Sequence, residues 1–239
     1  MKVNIYIFFI FILINNVILY FIIFFNKTKK VYTIKKGVFM KNVLLSILRD
    51  KNTDIKKFRE TAEKLAYLLA GEVGDYLAKE NVSIITPITK TKAIKLKNNI
   101  VLIPILRAAL SMLPGFLKFF EYANIGFLGL RRDELTAIAN LYYKNLPKIK
   151  KSDSVIILDP MIATGGTGLK AIEILKDLGV KEENIVFVSI ICSKYGVNKI
   201  KKSYPKVKLI HVQVDSKLNT KKYIVPGLGD FGDRYFGTL

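Results

Sequence analysis

The chain has 239 residues, a formal net charge of +20, one cysteine and one histidine. That length holds one sizeable α/β domain with its own core. The lone Cys192 excludes an intrachain disulfide and a cysteine-built metal site, and the lone His211 argues against a histidine triad or a multi-histidine metal centre. A polyanionic partner is one reading of the charge. The lysines, however, are spread along the whole chain without the aromatic interleaving of a nucleic-acid platform, so a lysine-rich composition is the preferred reading and no nucleic-acid partner is expected.

Residues 3–25 carry no charge and are mostly Ile, Phe, Leu, Val and Tyr. The run is long enough to cross a bilayer as a helix, although Asn4, Asn15 and Asn16 weaken it. Lys27, Lys29 and Lys30 follow and would hold the rest of the chain on the cytoplasmic side. No small-residue cleavage site marks a removed signal peptide. Two readings of this apolar helix candidate stay open. One is a membrane anchor over residues 3–25. The other, preferred, is a start-site artefact, an AT-rich stretch translated in frame ahead of a later start such as Met40. The expected division is an apolar segment over 1–26, a basic linker over 27–30 and a globular domain over 31–239. Residues 27–37 read as linker or edge strand.

From Asp54 the pattern turns helical. Ile55, Phe58, Ala62, Leu65, Leu68 and Leu69 recur at spacings of three and four, Asp54 is placed to cap the start, and Gly71 and Gly74 weaken the end. Buried-strand candidates follow at residues 99–106, 125–130, 155–158, 185–191 and 207–212. A helix is expected over 169–178, ending at Gly179. Strands that are apolar throughout and alternate with helices predict an open, mainly parallel twisted sheet covered on both faces. Ligands in such folds bind outside the carboxyl ends of the strands. Cys192 and His211 lie in or at the end of apolar runs and read as framework residues.

The central motif is the run from Val155 to Gly168. An apolar strand delivers Asp159, and the cluster Thr164-Gly165-Gly166-Thr167 stands directly before a helix. Backbone N–H groups at a helix start cradle an anion, and glycine permits positive φ and close approach; Gly166 is expected to take that conformation. Asp159 cannot serve a phosphate but can accept hydrogen bonds from sugar hydroxyls. Together these groups describe a site for a ribose 5-phosphate. It is not a triphosphate P-loop, because no Gly-Lys-Ser/Thr stands at the required spacing.

This segment resembles the phosphoribosyl pyrophosphate (PRPP) motif of type I phosphoribosyltransferases, and the pair Asp159-Pro160 resembles its uracil branch. Three further stretches agree with that branch. Pro104-Ile105-Leu106-Arg107-Ala108 resembles a pyrophosphate-contacting loop. Arg131-Arg132-Asp133-Glu134 with Thr136, then Tyr142-Tyr143 and Leu146-Pro147, resembles a second basic segment. Residues 223–238 resemble a uracil-binding tail. The likeness runs from about Val31 to Leu239 and implies a type I phosphoribosyltransferase-like fold and the reaction uracil + PRPP to UMP + pyrophosphate. The implied PRPP contacts are Arg107, Arg132, Asp159, Pro160, Met161, Ile162, Ala163, Thr164, Gly165, Gly166, Thr167 and Asp230. The implied uracil contacts are Ile224, Gly229, Asp230 and Phe231, largely through backbone atoms. Arg107, Arg132, Asp159 and Asp230 are the implied catalytic residues. Mg²⁺ is implied as a cofactor that PRPP carries, with no metal ligand among the side chains. A homo-oligomer, a GTP activator and a cytoplasmic setting come with the resemblance, and a membrane enters only if the apolar segment is real.

The chain departs from the family's pattern in four places. Ala109 and Ser111 replace two glycines after Arg107, and a positive φ at Ala109 would cost on the order of 1 kcal/mol. Phe231 replaces an alanine after Asp230. Residues 137–140 lack an acid and a proline, and Lys194-Tyr195-Gly196 replaces a Pro-Glu-Gly. An active enzyme is the leading expectation. A non-catalytic sensor of PRPP or UMP, possible if Ala109 and Phe231 disturb the site, stands second. A membrane-anchored structural protein stands third.

Overall fold

A computed structural model describes residues 6–14, 17–25, 38–132 and 139–238. The backbone divides into two compact units between Val43 and Leu44. In the first unit, the single apolar helix expected over residues 3–25 is not formed. Strand β1 (Tyr6–Ile14) instead pairs antiparallel with β2 (Val17–Phe25). The runs over 6–14 and 17–25 are rich in β-branched and aromatic residues, which favour strands; Asn15 and Asn16 lie outside the described residues. Among the described residues no helix is long and apolar enough to cross a membrane. Residues 27–37, read as linker or edge strand, lie outside the described residues.

In the second unit, the end of helix α1 (Val38–Arg49) is followed by α2 (Ile55–Gly74). Asp54 caps α2 by accepting from the Lys57 N–H at 2.8 Å. The buried stripe is Phe58, Ala62, Leu65, Ala66, Leu69, Ala70 and Val73, whereas Ile55 and Leu68 face outward. Tertiary burial carries the helix past Gly71, overriding the weak propensity of glycine. An unanticipated hairpin follows, β3 (Lys79–Ile85) against β4 (Lys90–Leu96), turned at residues 86–89 by the Thr86 hydroxyl and backbone.

The remaining strands are β5 (Ile100–Leu106), β6 (Asn124–Ile125), β7 (Phe127–Arg132), β8 (Ala139–Asn145), β9 (Ser154–Leu158), β10 (Met161–Ile162), β11 (Ile185–Ser193) and β12 (Lys208–Asp215), with the small pair β13 (Lys217–Leu218) and β14 (Ile224–Val225). The main sheet runs β12, β11, β9, β5, β7, β8, with β6 and β10 as short continuations beside β5 and β11. All its pairings are parallel except β7 with β8 at one edge. Helices α2, α3 (Leu113–Leu117) and α6 (Phe231–Phe236) close one face around Leu102, Ile156 and Val188. Helices α4 (Gly166–Asp177) and α5 (Lys194–Ser203) close the other around Val101, Ile157 and Phe187. Strands buried on both faces are apolar at nearly every position, which is why β5, β9 and β11 read as near-continuous apolar runs. Cys192 lies inside β11, and burial pushes its thiol up to about 12, so it is an inert core residue. His211 lies on β12 opposite Ser189.

Candidate active site

Adjacent strands β5 and β9 end together, with Pro104 beside Leu158 in register, so Arg107 and Asp159 leave the same end of the sheet. Asp159 keeps part of its surface open, but burial of the carboxyl pushes its pKa up to about 7, against a weak opposing hydrogen bond from the Met161 N–H at 3.3 Å. Pro160 has no N–H to lose, and its carbonyl accepts from the amides of Ile190 and Ile191, which ties the strand end to β11.

After β10 the chain turns into α4. The left-handed residue of this turn is Gly165, at φ +77°, and not Gly166 as the sequence suggested. A Cβ on Gly165 would lie 3.0 Å from the Gly196 carbonyl oxygen, and one on Gly196 would lie 2.5 Å from that of Ala163. Ser193 bridges the same two strands of chain, donating to the Ala163 carbonyl and accepting from the Gly196 N–H at 2.9 Å. The substituted triplet Lys194-Tyr195-Gly196 therefore keeps the one residue whose backbone the turn needs. Gly166 faces open space. The first amides of α4 follow this turn, with Thr164 and Thr167 beside them, at the kind of helix start whose N–H groups can hold an anion. An open cleft of about 950 Å³ starts at Thr164 and Gly166 and continues past Lys170, Tyr195, Lys199 and Lys222. Asp159 does not line it.

Arg107 is exposed, and its guanidinium sits 5.7 Å from the centre of the Phe236 ring of α6. The Leu106–Arg107 peptide is cis. Ala109 lies buried in a 3₁₀ turn, Ala108–Ser111, and does not have a positive φ; among the described residues only Lys222 has one outside glycine. The Ser111 hydroxyl donates to the Ala108 carbonyl at 2.7 Å. Both substitutions are thus accommodated without the penalty expected for a left-handed alanine. Arg132 ends β7, whose neighbour in the sheet is β5, while Asp133, Glu134, Thr136, Ala137 and Ile138 lie outside the described residues. Tyr142 and Tyr143 are exposed on β8.

The tail crosses the same end of the sheet. Ile224 is buried, Gly229 is exposed at φ +84°, and Asp230 caps α6 by accepting from the Asp233 N–H at 2.9 Å. Phe231 does not face the open side. It is 1% exposed and packs edge-on against Phe58 of α2, ring centres 5.0 Å apart. Its side chain replaces alanine by filling core, which leaves its backbone available.

Two residues that the sequence did not single out hold this tail. Asp215 ends β12 as Asp159 ends β9. Arg49 binds it through two nitrogens, at 2.7 and 2.9 Å, and the Gly227 N–H donates to it at 2.9 Å. Burial works against ionisation of Asp215, but the Arg49 hydrogen bonds, the Gly227 amide and the arginine charge outweigh it and hold the carboxyl below its usual range. An acid at the end of an apolar strand was the available signal for Asp215. Arg49 offered none beyond its place in a charged turn.

A mainly parallel sheet with an acid at one strand end, a glycine turn opening a helix beside it and an exposed arginine at the next strand end is a phosphoribosyltransferase-like fold. The sequence profile described as uracil phosphoribosyltransferase matches residues 39–238. The uracil phosphoribosyltransferase of Campylobacter fetus is 45% identical over 195 residues, covering 82% of this chain and 92% of that one. That of Mycoplasma genitalium is 42% identical over 194 residues, covering 81% and 93%. The AQ2163 protein of Aquifex aeolicus superposes with a TM-score of 0.76 at 35% identity, covering 82% of this chain and 94% of that one. The chain belongs to the uracil phosphoribosyltransferase family.

Proposed function

We propose that the chain joins uracil to PRPP, forming UMP and pyrophosphate, and so serves pyrimidine salvage. The observation that carries this reading is the meeting, at one end of the sheet, of the Asp159 strand end, the Gly165 turn into α4 and the tail from Ile224 to Phe231. A ring nitrogen of uracil attacks C1 of the ribose while the bond to pyrophosphate breaks; the electron pair leaves with pyrophosphate, and the proton of that nitrogen is lost to pyrophosphate or water. The residues do no redox or covalent chemistry; they position and stabilise charge.

In this reading the α4 amides, Thr164 and Thr167 hold the 5-phosphate, and residues 160–163 shape the turn around it. Asp159, and Asp230 from the other side, accept from the ribose hydroxyls. Arg107 and Arg132 meet the charge that grows on pyrophosphate, a task that suits a permanently charged, bidentate group. Mg²⁺ enters with PRPP, whose phosphate oxygens are the hard ligands that ion takes, and belongs to the substrate. Backbone groups of Ile224, Gly229, Asp230 and Phe231 read the edge of uracil, and the buried ring of Phe231 keeps clear of it.

Further parts of the proposal rest on less. A homo-oligomer is supported by the β3–β4 hairpin, where Ile85 and Ile88 are 84% and 94% exposed. GTP as an activator is supported by family likeness alone. The cytoplasm is the proposed setting, because uracil, PRPP and UMP are all water-soluble. The domain of residues 31–239 carries the whole reaction, and residues 1–30 carry none of it. Conversion of labelled uracil to UMP in the presence of PRPP and Mg²⁺ tests the proposal. Binding of PRPP without turnover would favour the non-catalytic sensor instead.

A further inference from the structure

The segment assigned to uracil is short and must present backbone groups at fixed positions. Gly227 sits between Ile224 and Gly229 with φ +59°, and a Cβ there would lie 2.1 Å from the Ile224 carbonyl oxygen. Both polar backbone groups of Gly227 are taken by one ion pair. Its N–H donates to Asp215 at 2.9 Å, and its carbonyl accepts from Arg49 at 2.8 Å. The pair is itself bidentate, and the Asp215 side chain is only 4% exposed. A second arginine works in the opposite direction. Arg234, from α6, donates to the Leu228 carbonyl at 2.7 Å, to that of Asp50 at 2.6 Å and to that of Leu48. Leu48 and Asp50 flank Arg49, so residues 48–50 and residues 227–228 are stapled together by two arginines that each reach across.

We propose that Arg49 and Asp215 are positioning residues for the pyrimidine, fixing through Gly227 the backbone of residues 224–229 that reads the base. This inference rests on the function proposed above. The physical argument is one of geometry. A planar guanidinium bound to both carboxylate oxygens fixes direction as well as distance, and the same two groups then constrain a single peptide unit from both sides. The phosphate turn at Gly165 is held by other contacts, those of Ser193 and Gly196, and Asp230, which reaches PRPP, is held as the cap of α6, so loosening the clamp acts first on the base.

The test uses the full chain with Arg49→Lys and Asp215→Asn, conservative changes that break the bidentate pair. Steady-state kinetics should show KM for uracil raised about tenfold or more, with PRPP affinity by calorimetry within about twofold of the parent. A merely structural role would instead lower the folded, active fraction, reducing the apparent kcat and leaving both substrate constants in place. If Asp215→Asn fails to fold, Arg49→Lys decides alone. Arg234→Lys, which loosens the other arginine of the staple, serves as an independent variant and should raise KM for uracil in the same direction. A parent protein that turns over uracil while folded variants keep its KM within about twofold would overturn the inference alone. A parent that forms no UMP would overturn the functional reading and this inference with it.

Discussion

The raised pKa of Asp159 makes PRPP binding depend on pH in a way that one substitution removes. The carboxyl titrates at about 7 because burial disfavours its charge. Its proposed partners are sugar hydroxyls, which donate, so the ionised form is the one that binds well. If only that form binds, the apparent dissociation constant carries a factor of one plus ten to the power of pKa minus pH. That factor is about 1.1 at pH 8 and about 11 at pH 6, a tenfold weakening over two units. PRPP has titrating phosphates of its own, so the comparison must be made against Asp159→Asn, which should bind more weakly at pH 8 but without this extra slope. Calorimetry at pH 6, 7 and 8 measures both, and at pH 6.5 the parent should release most of a proton on binding. Stability of the free protein moves the other way. Because the folded pKa lies above the ordinary 3.8, the contribution of this group is fully present below 3.8 and is lost as pH rises through 7. Asp159→Asn should therefore raise Tm at pH 8 and change it little at pH 4, by an upper bound of about 4 kcal/mol at the higher pH. Equal pH slopes in parent and variant, or a Tm difference independent of pH, would refute the reasoning.

Arg107→Ala should lower uracil turnover by a factor on the order of 10² with Tm unchanged, since the side chain is exposed and its one recorded ring contact is with Phe236; unaltered kinetics in the folded variant would remove it from the site. Gly165→Val should abolish measurable PRPP binding, because a β-branched residue resists positive φ and its Cβ would press on the Gly196 carbonyl, whereas Gly166→Ala, facing open space, should keep the fold and weaken PRPP less; the reverse order by calorimetry would contradict the assignment of the turn. Removal of residues 1–28 should leave both substrate constants unchanged in steady-state assays; a loss of activity would show that the apolar segment takes part.

The parallel sheet was legible because burial on both faces leaves β5, β9 and β11 apolar apart from Ser154, Ser189 and Ser193, and a run such as 155–158 cannot be read as anything solvated. The Asp159 strand end and its glycine turn were legible for the same reason, as local chemistry in one continuous stretch. What escaped was set by distance or by balance. Arg49 and Asp215 are 166 positions apart, and nothing local to either announces the other. The choice between Gly165 and Gly166 depends on the approach of Gly196 from α5, a contact that adjacent glycines do not reveal. The β3–β4 hairpin lacks a clean alternation because both its faces are largely exposed. The apolar run over 3–25 suits helix and strand alike by composition. The helix end that Gly71 and Gly74 were expected to weaken falls at Gly74, core contacts outweighing about 1 kcal/mol of glycine propensity at Gly71.

The most direct test of the central claim is a base-by-base assay with PRPP and Mg²⁺ and the purified full-length chain. Uracil should yield UMP and pyrophosphate in equal amounts, with adenine, guanine and hypoxanthine giving no nucleotide above background. Nucleotide formed from a purine in preference to uracil, or pyrophosphate released without UMP, would contradict the account.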